Sequence, residues 1–80
     1  MGYFLIDVTP KQLQLARKIL GLTQESVCED IKISVPSYRA IESGKSDPKL
    51  SNFRKAVHYY SNNNIIFCKD GNNVKIEYCP

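Results

Sequence analysis

LTQESVCEDIKISVPSYRAIESG, residues 22–44, holds two short apolar clusters separated by Lys32, Ile33 and Ser34. The spacing predicts two short helices back to back. Thr23 is a cap for the first, Gln24 and Glu25 open its first turn, and Val27, Cys28 and Ile31 form its apolar face, which places a helix over 24–31. Two turns are unstable alone, so packing must hold them. Ser34 caps the second helix, and Val35 and Pro36 fill its first turn, where a missing N–H is harmless. Tyr38 and Ile41 face inward, and Gly44 ends the helix at a position suited to a left-handed backbone. Two short helices joined by so brief a turn cross at a steep angle.

Upstream, Thr9, Pro10 and Gln12 are a helix start: a cap, a proline at the first helical position, and a glutamine that completes a capping box. Leu13, Ala16 and Leu20 recur at helical spacing with Ile19 beside them, and Gly21 follows, which predicts a helix over 10–20. Downstream, Leu50, Phe53, Val57 and Tyr60 form one apolar stripe over 49–62, ended by Asn62, Asn63 and Asn64. The period then changes. Ile65 and Phe67 alternate, as do Val74, Ile76 and Tyr78, around a Gly71-Asn72 tip: a hairpin over 64–79. That tip sets Phe67 opposite Ile76, Ile65 opposite Tyr78 and Cys68 opposite Lys75. Residues 1–8, with Tyr3, Phe4, Leu5 and Ile6 in succession, are β-prone and read as an arm or an edge strand.

Eighty residues make one domain. Apolar content of 42% and charged content of 24% exclude a disordered chain. The longest apolar run is too short for a membrane span or a signal segment, so a cytoplasmic protein with no membrane partner is expected. The net charge of +3 permits nucleic acid as a partner without requiring it. Three cysteines, Cys28, Cys68 and Cys79, with no CxxC pair and a single histidine, read as free thiols rather than a zinc site. Cys28 and Tyr38 read as core. His58 has no nucleophile or carboxylate spaced to join it, so neither enzyme chemistry nor a cofactor is expected.

Leu22-Thr23-Gln24-Glu25, then Ile33-Ser34, then Ile41-Glu42-Ser43-Gly44, resembles the Cro/CI-type (XRE-like) helix-turn-helix domains of phage and bacterial repressors. The resemblance covers 10–60. Asn64-Ile65-Ile66-Phe67 is similar to the strand that follows the fourth helix in one bacterial subgroup with a C-terminal hairpin. The resemblance implies a mainly α fold: a four-helix, lambda-repressor-like domain with a C-terminal β-hairpin. In such domains the first helix of the motif braces on the sugar-phosphate backbone while the second lies in a major groove about 12 Å wide.

Residue by residue, the resemblance implies that Gln24 bonds a phosphate and buttresses the second helix, and that Arg17 and Glu42 form an ion pair tying the first predicted helix to the third. It places Ser34, Val35, Pro36, Ser37, Arg39 and Ala40 on the DNA-binding side, with Ser43 and Lys45 as backbone contacts. Two departures stand out. Val35, Pro36 and Ala40 occupy positions where relatives often carry Gln, Arg or Lys, leaving Ser37 and Arg39 for polar readout and the apolar groups for thymine methyls. Lys32 stands where many relatives have glycine, so either the turn differs or a left-handed lysine costs about 1 kcal/mol.

Two functions follow. The first is a sequence-selective regulator of transcription, a repressor, that binds double-stranded DNA as a homodimer built on the hairpin, the N-terminal strand, or both. The alternative is a protein-interaction module or antitoxin that keeps the fold with weak or no DNA binding.

Overall fold

The computed structural model of the protein describes residues 8–44, 49–70 and 73–80. Within them run four helices, α1 (Pro10–Ile19), α2 (Gln24–Ile31), α3 (Val35–Ser43) and α4 (Leu50–Asn62), then an antiparallel hairpin of β1 (Ile65–Asp70) and β2 (Asn73–Tyr78). The expected N-terminal arm over 1–7 and the tip at Gly71 and Asn72 lie outside the described residues.

Local chemistry sets most boundaries. The Thr9 hydroxyl accepts from the Gln12 N–H while the Gln12 side chain accepts from the Thr9 N–H at 2.8 Å, a complete capping box. Gly21, at φ +71°, closes α1: Leu22 N–H reaches the Arg17 carbonyl at 3.1 Å and Gly21 N–H the Lys18 carbonyl at 3.1 Å, the two bonds of a Schellman turn. α2 ends on a lysine in the left-handed place, whose own N–H bonds the Cys28 carbonyl at 2.8 Å. Lys32 sits at φ +61°, and Ile33 N–H bonds the Cys28 carbonyl at 3.2 Å. Of the two options for this turn, the chain takes the left-handed lysine. Gly44, at φ +67°, holds a left-handed backbone that suits glycine, and a Cβ there would also press on the Pro10 side chain at 3.3 Å.

The core comprises Leu13 and Ala16 of α1, Val27 and Cys28 of α2, Tyr38 and Ile41 of α3, Ala56, Val57 and Tyr60 of α4, Ile65 of β1, and Val8. α1 packs on α3, α4 and β2; α2 packs on α3 and α4. The hairpin register sets Ile65 opposite Tyr78, Phe67 opposite Ile76 and Cys68 opposite Lys75, as the alternation predicts. Phe67 and Ile76 lean on the core. One expectation fails at a helix end. Leu50, the first residue of α4, is 63% exposed, because the apolar stripe begins a turn before the helix reaches the core. Ile19 is also exposed, beyond the last inward position of α1.

Candidate nucleic-acid interface

Several of the contacts that orient α3 converge on Glu42. Arg17 of α1 donates to it through Nε (2.8 Å to Oε2) and Nη2 (3.2 Å to Oε1), a two-pronged pair whose carboxylate is 3% exposed. The remaining Arg17 prong, Nη1, donates to the Leu22 carbonyl at 3.0 Å and pins the entry to α2. Gln24, the first residue of α2, donates from Nε2 to Glu42 Oε1 at 3.1 Å. Burial alone would lift the Glu42 carboxyl, but hydrogen bonds from Arg17, Tyr38 and Gln24, with the Arg17 charge, hold it below the usual carboxylate range. The hydrogen bond to Glu42 raises the Arg17 guanidinium in turn. The Tyr38 and Tyr60 hydroxyls bond each other inside the core, linking α3 to α4, and burial pushes both phenols up.

Three helices thus hold the inner side of α3, and its other side faces out. Pro36, Arg39 and Ser43, spaced three and four residues apart along one stripe, are exposed, as is the capping Ser34; Val35, Ser37 and Ala40 are half-buried. The serines already serve the helix. Ser34 Oγ accepts from the Ser37 N–H at 3.3 Å and donates to the Ser37 hydroxyl at 2.8 Å, and Ser43 Oγ donates to the Ala40 carbonyl at 3.3 Å. Arg39 folds back on α2: Nε donates to Gln24 Oε1 at 3.3 Å, and Nη2 lies 3.8 Å from Glu25 Oε2. Lys45, the remaining sequence candidate, lies outside the described residues.

Charge is distributed unevenly around this pair. α2 exposes three acids, Glu25, Glu29 and Asp30, and no base. Asp30 accepts from the Tyr59 hydroxyl of α4 at 2.7 Å; burial, then this bond, pushes that phenol up to about 12. Exposed bases stand on α4 instead, where Arg54, Lys55 and His58 line an open cleft beside Ile31. Burial raises the Cys28 thiol, which donates to the Ser34 carbonyl at 3.8 Å and so braces the start of α3.

Sequence reasoning missed two residues. Gln12, read as a cap, is fully buried, and its Nε2 donates to both the Cys68 and Lys75 carbonyls at 2.9 Å, fastening the hairpin to α1. Its role was hidden because a capping glutamine is expected at the surface. Glu25, read as a first-turn acid, faces Arg39; only the fold brings those two positions together.

A bracing helix followed through a left-handed turn by a helix with one buried and one open side is a helix-turn-helix. A family model described as a helix-turn-helix domain matches residues 11–64, and the chain belongs to that family of DNA-binding domains. The hairpin lies beyond the matched segment. No curated protein and no solved structure matches the chain significantly. No described helix is long and apolar enough to cross a membrane.

Proposed function

We propose that the protein is a sequence-selective transcriptional repressor of the Cro/CI type that sets α3 into the major groove of double-stranded DNA. The observation that carries this reading is the open stripe of Pro36, Arg39 and Ser43 on a helix whose opposite side is fixed by Arg17, Gln24 and Glu42. Arg39 supplies a forked donor for guanine or a phosphate. Val35, Pro36 and Ala40 offer apolar contact for thymine methyls, Ser37 joins Arg39 in polar readout, and Ser34, Ser43 and Lys45 supply the remaining contacts to the DNA. Gln24 has two amide hydrogens and gives one to Glu42, so the second is free to meet a phosphate beside the positive end of the α2 dipole. One short helix reads few bases, so a homodimer on a palindromic site completes the recognition. The hairpin carries the dimer contact: a two-stranded sheet leaves an outer edge on each strand, and β1 exposes Ile66 at 50%.

A second reading is favoured by the sparse chemistry of the same face, where α3 presents one exposed cation, Arg39, among the described residues, and α2 exposes three acids. On it, the protein is an interaction module or antitoxin with little affinity for DNA. Selection of bound duplexes from a random pool, followed by anisotropy titration at two salt concentrations, separates the two. Steep salt dependence with a preferred sequence supports the repressor. Saturable binding to a protein partner without DNA affinity supports the module. An Ile66→Glu variant that sediments as the wild type does would reject the hairpin as the dimer contact.

A further inference from the structure

We propose that Glu25 restrains Arg39 in the free protein and thereby limits how tightly the outward side of α3 takes DNA. This deepens the DNA-binding reading and rests on it. Arg39 is the one exposed cation among the described residues of α3, yet its guanidinium is directed at α2. The restraint has two anchors. Gln24 Oε1 receives Arg39 Nε, and that amide is itself oriented because its Nε2 is held by the buried Glu42 carboxylate. Glu25 Oε2 stands 3.8 Å from Arg39 Nη2. A bidentate contact to guanine needs both prongs of the fork in one plane and facing the base. Arg39 must therefore leave Glu25 before it can read one.

Glu25 opposes DNA in a second way. It lies at the start of α2, beside Gln24, where the motif would meet the phosphate backbone. Once Arg39 has moved away, an unpaired carboxylate remains next to an anionic strand. Both penalties vanish when the side chain is neutral. For the fold the same residue acts with the opposite sign, because an acid in the first turn of a helix favours its dipole. A neutral replacement should therefore loosen the protein slightly while tightening its grip on DNA, a combination that a purely structural role would not produce.

The test uses the full chain, with Glu25→Gln, Arg39→Ala and the double variant, each confirmed folded by circular dichroism. Nitrogen-15 NMR of the Arg39 Nε–H group in the free protein reads the restraint directly, and its resonance should shift in Glu25→Gln. Anisotropy titration on a duplex selected from a random pool should show Glu25→Gln binding about two- to fivefold tighter, the scale of an exposed ion pair. That gain should shrink in the Arg39→Ala background. An Arg39 resonance indifferent to Glu25→Gln would overturn the proposal, as would equal or weaker DNA binding. An undiminished gain without Arg39 would overturn it too, since Glu25 would then act by repulsion alone. If the resonance shifts as expected but no variant binds any duplex, the restraint stands and the DNA-binding reading falls, taking the link to affinity with it.

Discussion

The two sides of α3 are built on different terms. Its inner side carries Tyr38, Ile41 and Glu42, all buried, with the carboxylate receiving bonds from two other helices. Its outer side carries Pro36, Arg39 and Ser43, which are exposed; Arg39 bonds Gln24 of α2, and the Ser43 hydroxyl bonds the Ala40 carbonyl of α3. Charge on the inner side is withdrawn from water and so energetically consequential; charge on the outer side is solvated and contributes little to folding. Substitutions on the inner side should therefore be read in stability, and those on the outer side in binding.

The sharpest way to break that division is Arg17→Met, which strands Glu42 as an unpaired buried carboxylate. It should cost about 3–5 kcal/mol in urea unfolding at pH 7, and a loss near zero would show that the pair is idle. The same pair predicts an acid limb. Because Glu42 titrates lower in the folded chain than its ordinary value of 4.5, its contribution is full above that pH and is lost as pH falls through the depressed folded value. Stability measured from pH 7 down to pH 3 should fall accordingly, and Glu42→Gln should flatten that part of the curve.

Gln12→Leu removes the donor shared by the Cys68 and Lys75 carbonyls and should cost about 1–3 kcal/mol, with hydrogen exchange rising first in the hairpin. Arg39→Ala should leave unfolding unchanged while weakening or broadening DNA selectivity by about 1–3 kcal/mol; equal effects on folding and binding would erase the contrast between the two sides. Smallest is Lys32→Gly, which relieves a left-handed lysine and should raise stability by up to about 1 kcal/mol, read as a small rise in Tm.

Helix starts and stops were legible because they are local. Thr9, Thr23 and Ser34 cap as their spacing indicates, and Gly21 and Gly44 end helices where a positive φ is needed. The hairpin register followed from alternation about a short tip. What sequence did not show depends on contacts between distant positions. Leu50 fits the α4 stripe by period, but period does not say where the core ends. Gln12 became the hairpin anchor because β1 and β2 present two carbonyls above it, more than fifty residues along the chain. The Arg17–Glu42 contact was expected from the resemblance alone, since twenty-five residues separate the partners and no spacing rule links them. The Arg39–Glu25 contact had neither a spacing nor a family pattern to announce it.

Amide chemical-shift mapping of the full chain, titrated with a duplex selected from a random pool, probes the placement of α3 most directly. The shifts should concentrate at Gln24 and along residues 34–43, with the hairpin changing little. Shifts confined to α4 and the hairpin, or none at saturating duplex, would contradict a groove-reading role for α3.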